Sequence, residues 1–147
     1  MDKMDSNIMW HIGIIVRDIE KKAQNYADIF GMKVPPIISV KPKELTWYKG
    51  KELDIQHKMV FFKMGLVQIE LIEPNEEESS FREFLDKHGE GIHHVTFNVK
   101  DMNETTEFLG QKGIDVVQKG DFEGGCYAYV DATEQLGAIL ELYQKNK

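Results

Sequence analysis

Cysteine is nearly absent: Cys126 stands alone among 147 residues. One thiol leaves no intramolecular disulfide framework and no cysteine-rich zinc knot, and it fits a chain kept in a reducing, cytoplasmic compartment. Positive charge is short as well. Lysine and arginine number 18 against 25 acids, a formal net charge of −7; phosphate binding depends on Lys and Arg, so nucleic acid and anionic membrane surfaces drop out as partners. Long apolar runs are missing too. "MWHIGIIV" is broken by His11 and Gly13 and falls far short of a membrane span, and the acids before it are wrong for a secretory leader.

What is present is a repeated order of elements. Met9 to Val16 is short and rich in Ile and Val, the pattern of a strand, and Asp18 stands where a helix N-cap belongs. Ile19, Ala23, Tyr26, Ala27 and Phe30 follow at helical spacing, with Gly31 in the position that ends a helix. Pro35, Pro36 and Pro42 then preclude any long element over 32–58, which reads as one or two short strands and a mobile loop. "KMVFFKMG" and "LVQIELIEP" predict two strands joined by a tight connection at Met64 and Gly65, with Pro74 ending the second. An acidic segment with a short helix, stopped by Gly89 and Gly91, leads into a second half that again runs strand, helix and three strands. The chain thus predicts one α+β domain over 1–147, with a module at 8–74 and a module at 92–144 joined by a linker helix at 75–91.

The first strands of the two halves align without a gap, and the last strands line up too. "HIGIIVRDI" over "HVTFNVKDM" pairs His11 with His94 and Asp18 with Asp101, and "VQIELI" over "AILELY" pairs Glu70 with Glu141. Each half therefore offers one His on its first strand and one Glu on its last. If an approximate two-fold axis relates the halves, the four side chains converge as a set suited to a borderline divalent ion. Glu70 and Glu141 sit in apolar strands where an unpaired carboxylate is costly to bury, and neither strand holds a Lys or Arg to meet it.

Strand alternation puts His93 on the opposite face from His94, as a packing or hydrogen-bonding residue. His57 and His88 have polar neighbours and read as exposed. Gln68 shares the face of Glu70, which makes it a substitute ligand or a substrate contact, while Tyr127 and Tyr129 share a face that lines a cavity or fills the core. The polar stretch from Lys41 to Lys58, with Trp47, Tyr48, Lys49 and Lys51, reads as a substrate-facing loop.

The stretches "HIGIIVRDI", "QIELIEP", "GEGIHHVTFNVKD" and "ILELYQ" resemble the vicinal oxygen chelate superfamily, the glyoxalase, bleomycin resistance and dioxygenase group that includes glyoxalase I (lactoylglutathione lyase) and methylmalonyl-CoA epimerase. The likeness covers nearly the whole chain and is strongest to the epimerase branch. It implies a pair of βαβββ modules forming a curved mixed sheet around one divalent metal ion (Zn, Ni, Co, Mn or Mg), with His11, Glu70, His94 and Glu141 as ligands. It implies a homodimer, and a small substrate, an acyl-CoA or a thiol adduct, that loses a proton next to a carbonyl through a metal-stabilised enolate, with Glu141 or Glu70 moving the proton. Gln68, Trp47, Tyr127 and Tyr129 are the candidate substrate contacts. Epimerases of this kind carry a further glutamate as the opposing base, on a strand before that of Glu70. "DIQHKMVFFKM" holds no Glu, and His57 or Asp54 is the available substitute. A glyoxalase-like lyase and a non-catalytic small-molecule binding protein are the alternatives, because the site and not the scaffold decides function.

Overall fold

The computed structural model describes residues 1–146. Its first half runs β1 (Met9–Ile15), α1 (Ile19–Phe30), β2 (Ile38–Val40), β3 (Thr46–Tyr48), β4 (Lys51–Leu53), β5 (His57–Met64) and β6 (Val67–Pro74). Helix α2 (Ser80–His88) follows. The second half runs β7 (Gly91–Asn98), α3 (Met102–Gln111), β8 (Val116–Phe122), β9 (Gly125–Ala132), α4 (Thr133–Leu136) and β10 (Ala138–Lys145). Among the described residues no helix is long and apolar enough to cross a membrane.

The local signals account for most boundaries. The Asp18 carboxylate accepts the Lys21 N–H at the start of α1, and Asp101 does the same for the Glu104 N–H at the start of α3, so each half caps its helix in the same way. Gly31 ends α1 with a left-handed φ of 67°. The β5–β6 turn falls on Gly65 and Leu66, one residue later than the pattern predicts, because the positive φ of 75° needs Gly65 at the first corner of the turn.

All ten strands form one curled mixed sheet in the order β2-β5-β6-β1-β7-β10-β9-β8-β3-β4. Strands β1 and β7 pair antiparallel at its centre, and each is flanked by a parallel partner, β6 or β10, from its own half. Helix α1 buries Ile19, Ala23 and Ala27 on Val60, Phe62 and Leu71. Phe108 and Leu109 of α3 do likewise on Val130, Leu140 and Leu142. Fully buried Phe62 alone contributes roughly 1.5–3 kcal/mol of hydrophobic stabilisation.

Residues 32–58 contain more strand than the sequence predicts. After β2 the chain crosses to the far edge of the sheet, where β3 pairs with β8 and turns back as β4. Lys49 and Lys51 point to α2 and meet Glu83 at 2.8 Å and Glu78 at 3.3 Å. These lysines have acidic partners within the protein, which corrects their reading as a substrate-facing cluster.

Candidate metal centre

The site is built on the two central strands. In the β1–β7 ladder Trp10 is an extra residue on β1 and His93 an extra residue on β7, each one position before the histidine that the repeat singles out. Such bulges re-aim neighbouring side chains. They explain why consecutive residues escape strict alternation here: Trp10 and His11 both line the same cavity, and His93 lies beside His94. The expectation that His93 points away is corrected to this extent. Its ring is buried and its Nδ1 lies 2.9 Å from His94 Nδ1.

Parallel pairing brings in the carboxylates. Gly13 is opposite Glu70 on one side and His94 on the other, and Thr96 is opposite both His11 and Glu141. A Cβ on Gly13 would overlap the His94 imidazole, so the ring's position depends on a bare backbone there. His11 Nε2 lies 3.3 Å from Glu70 Oε1 and 3.3 Å from Glu141 Oε1, and His94 Nε2 lies 3.4 Å from Glu70 Oε1. None of these approaches makes a hydrogen bond. His11 Nε2, His94 Nε2 and Glu70 Oε1 are buried without a partner, an arrangement costly in itself and satisfied by a cation among them. The donor atoms of His11, Glu70 and His94 all fall within 4.8 Å of one another, a group that could hold a metal ion. Glu141 joins through His11 alone, and its Oε1 accepts from the Thr96 hydroxyl at 3.1 Å.

Electrostatics follow from this crowding. Burial pulls the His11 pKa down, but Glu141 and Glu70 outweigh it and raise it to about 9. Burial pushes the Glu70 carboxyl up, and His11 and His94 more than reverse that, holding it well below the usual range. Burial, and then neighbouring His94, keep His93 neutral.

His11, Glu70 and Glu141 open onto a cavity of about 450 Å3 walled by aromatic side chains that include Trp10, Phe61, Phe81 and Tyr143. Gln68, Tyr127 and Tyr129 line it too. Trp47 does not. It lines a neighbouring pocket, where the Lys119 ammonium lies 5.4 Å from the centre of its ring, so its placement as a contact of this cavity is corrected. His57 differs from its exposed reading as well: it lines the cavity, packs on Phe81 at 5.2 Å between ring centroids, and has a buried Nδ1 without a partner. Burial lowers its pKa. Asp54 and His88 are exposed.

Two polar residues at the site escaped the sequence reading. Thr96 was within reach of it, because it sits two places after His94 and so on the same face. Gln118, fully buried, takes the Ser80 N–H on Oε1 at 2.9 Å and donates from Nε2 to the Tyr127 hydroxyl at 3.3 Å. No pattern in "IDVVQKG" announces that role, which depends on where α2 docks.

The description "Glyoxalase/Bleomycin resistance protein/Dioxygenase superfamily" matches residues 10–130. The chain belongs to this superfamily. The uncharacterized protein YqjC of Bacillus subtilis is 26% identical over 92% of this chain and 91% of its own length. An ethylmalonyl-CoA/methylmalonyl-CoA epimerase of Cereibacter sphaeroides is 27% identical over 91% of this chain and 95% of its own. The crystal structure of methylmalonyl-CoA epimerase from Mycobacterium tuberculosis superposes with a TM-score of 0.67 at 21% identity, covering 100% of this chain and 93% of that one, a likeness of fold. The fold is thus the α+β fold of the glyoxalase superfamily, and methylmalonyl-CoA epimerases are among the proteins that the chain resembles.

Proposed function

We propose that the protein is a metal-dependent isomerase that moves a proton on the carbon next to a thioester carbonyl, as an epimerase of an acyl-CoA. The observation that carries this reading is the buried His11, Glu70 and His94 cluster with its three unpartnered donor atoms, opening with Glu141 onto one cavity. Among the described residues no lysine or arginine lines that cavity, and in this reading the positive charge an enolate needs comes with the ion. His11, Glu70, His94 and Glu141 are the residues to hold it. A divalent ion there supplies Lewis-acid stabilisation of the enolate oxygen.

The chain's own groups do the rest. Thr96 holds one oxygen of Glu141, which leaves Oε2 to take the proton from the substrate carbon. Gln118 donates to the Tyr127 oxygen, so the phenol's own proton is directed elsewhere, toward a substrate oxygen in the cavity. His57 lines the same cavity from β5, with three strands between it and β10, and its neutral, unpartnered Nδ1 suits it to serve as the opposing base in place of the absent glutamate, taking the proton from the other epimer and becoming the imidazolium that returns it. We place the protein in the cytosol as a homodimer; support for the first is the lone free cysteine and for the second the resemblance alone.

The test is solvent exchange. In deuterium oxide with added divalent metal, methylmalonyl-CoA should gain deuterium at the carbon beside the carbonyl, the signal should vanish with chelator, and Glu141→Gln should abolish it. The hemithioacetal of methylglyoxal and glutathione, run in parallel, distinguishes a lyase. No metal-dependent exchange with either compound would sink the enzymatic reading.

A further inference from the structure

His93 and Ser80 have no part in the proposed chemistry, yet they form a continuous buried chain with His94. His93 Nδ1 lies 2.9 Å from His94 Nδ1, and His93 Nε2 lies 2.8 Å from the Ser80 hydroxyl. The two rings are 3% and 1% exposed, so water cannot replace either partner. Phe81, Phe84 and Tyr129 pack around the His93 ring at 5.4–5.5 Å between centroids and hold its plane. Ser80 begins α2, and its amide is committed to Gln118, which fixes the hydroxyl at the edge of His93.

We propose that His93 and Ser80 are a positioning relay that sets the tautomer and ring plane of His94, aiming its Nε2 lone pair at the space shared with His11 and Glu70. This rests on the metal reading above. Proton bookkeeping gives the direction. A neutral imidazole that ligates through Nε2 carries its proton on Nδ1. His93 Nδ1 must then accept, which places the His93 proton on Nε2, where it donates to Ser80 Oγ. The second nitrogen of a metal-bound histidine ordinarily donates to a carboxylate, a carbonyl or water; here a second imidazole takes that place. The β7 bulge at His93 is what brings it there.

Zinc affinity, measured by competition with a chelator, separates positioning from packing. His93→Phe keeps an aromatic ring among its aromatic neighbours but removes the acceptor, and should weaken zinc binding roughly 10–100-fold. His93→Gln, whose carbonyl can accept from His94 Nδ1, should recover most of that loss, and Ser80→Ala should weaken binding because the His93 proton is then free to move to Nδ1. Long-range proton–nitrogen NMR of the zinc-loaded wild type should find protons on His94 Nδ1 and His93 Nε2, a readout that needs no variant to fold. Wild-type affinity in His93→Phe, no advantage of Gln over Phe, or protons on the opposite nitrogens would overturn the relay. A wild-type protein that takes up no zinc would instead overturn the metal reading, and the relay with it.

Discussion

His11 concentrates the energetic tension of the molecule in one side chain. It is 2% exposed and faces two carboxylates, and without a metal its imidazole can carry a charge that compensates them. Its pKa of about 9 lies above the ordinary 6.5, so its contribution to the stability of the metal-free protein is fully present below about pH 6.5 and is lost as pH rises through 9. Metal must displace that proton. Thermal unfolding of metal-free protein between pH 6.5 and 9.5 should therefore show a falling midpoint, while the increment from saturating zinc grows over the same range; a flat profile without metal would show that His11 is neutral. At this scale the sequence was informative, because a gapless match of the first strands pairs His11 with His94 and a match of the last strands pairs Glu70 with Glu141. His57 was less legible: its polar sequence neighbours say nothing of Phe81, which covers it from α2.

Strands, helices and their caps were largely legible, and the bulges were not. Asp18, Gly31 and Asp101 mark their helix ends through chemistry that depends on the residue itself. A bulge depends on what the facing strand does, so period-two reasoning made His93 the packing and hydrogen-bonding residue it is but did not bring it against His94. Gly13 shows the same dependence. Nothing in "HIGIIV" reveals that the glycine's missing side chain is the space His94 fills, yet β1 and β7 can place both histidines in one site only because it is empty. Gly13→Ala should leave far-ultraviolet dichroism unchanged, since φ there is not left-handed. It should nevertheless weaken zinc binding by about the 10–100-fold expected when a ligand's support is lost. Unaltered affinity would show that the strand yields locally and that the close approach is not required.

For the whole molecule, the question is whether two repeated halves behave as one unit. Three connections say that they do. Strands β1 and β7 pair across the centre, and β3 and β4 leave the first half to complete the far edge of the second. The middle cluster draws Ile15, Tyr48 and Ile72 from one half and Tyr129 from the other around Phe81 and Leu85 of α2. The crossing of β3 and β4 was not legible, because residues 46–53 are polar and pair only through an edge strand far away in sequence. Melting the first half would strip β8 of its outer partner β3 and open the shared cluster, so separate transitions are not available to this fold. Calorimetry of the metal-free protein should then give one transition with equal calorimetric and van't Hoff enthalpies. Zinc at 100 times its dissociation constant should raise stability by about 2.7 kcal/mol, which is roughly 5–10 °C for a chain of this size. Because His11 and Glu70 come from one half and His94 and Glu141 from the other, that increment should appear in the single transition as a whole. Two resolved transitions, with only one moved by zinc, would show instead that a half folds alone and that the ion is held within it.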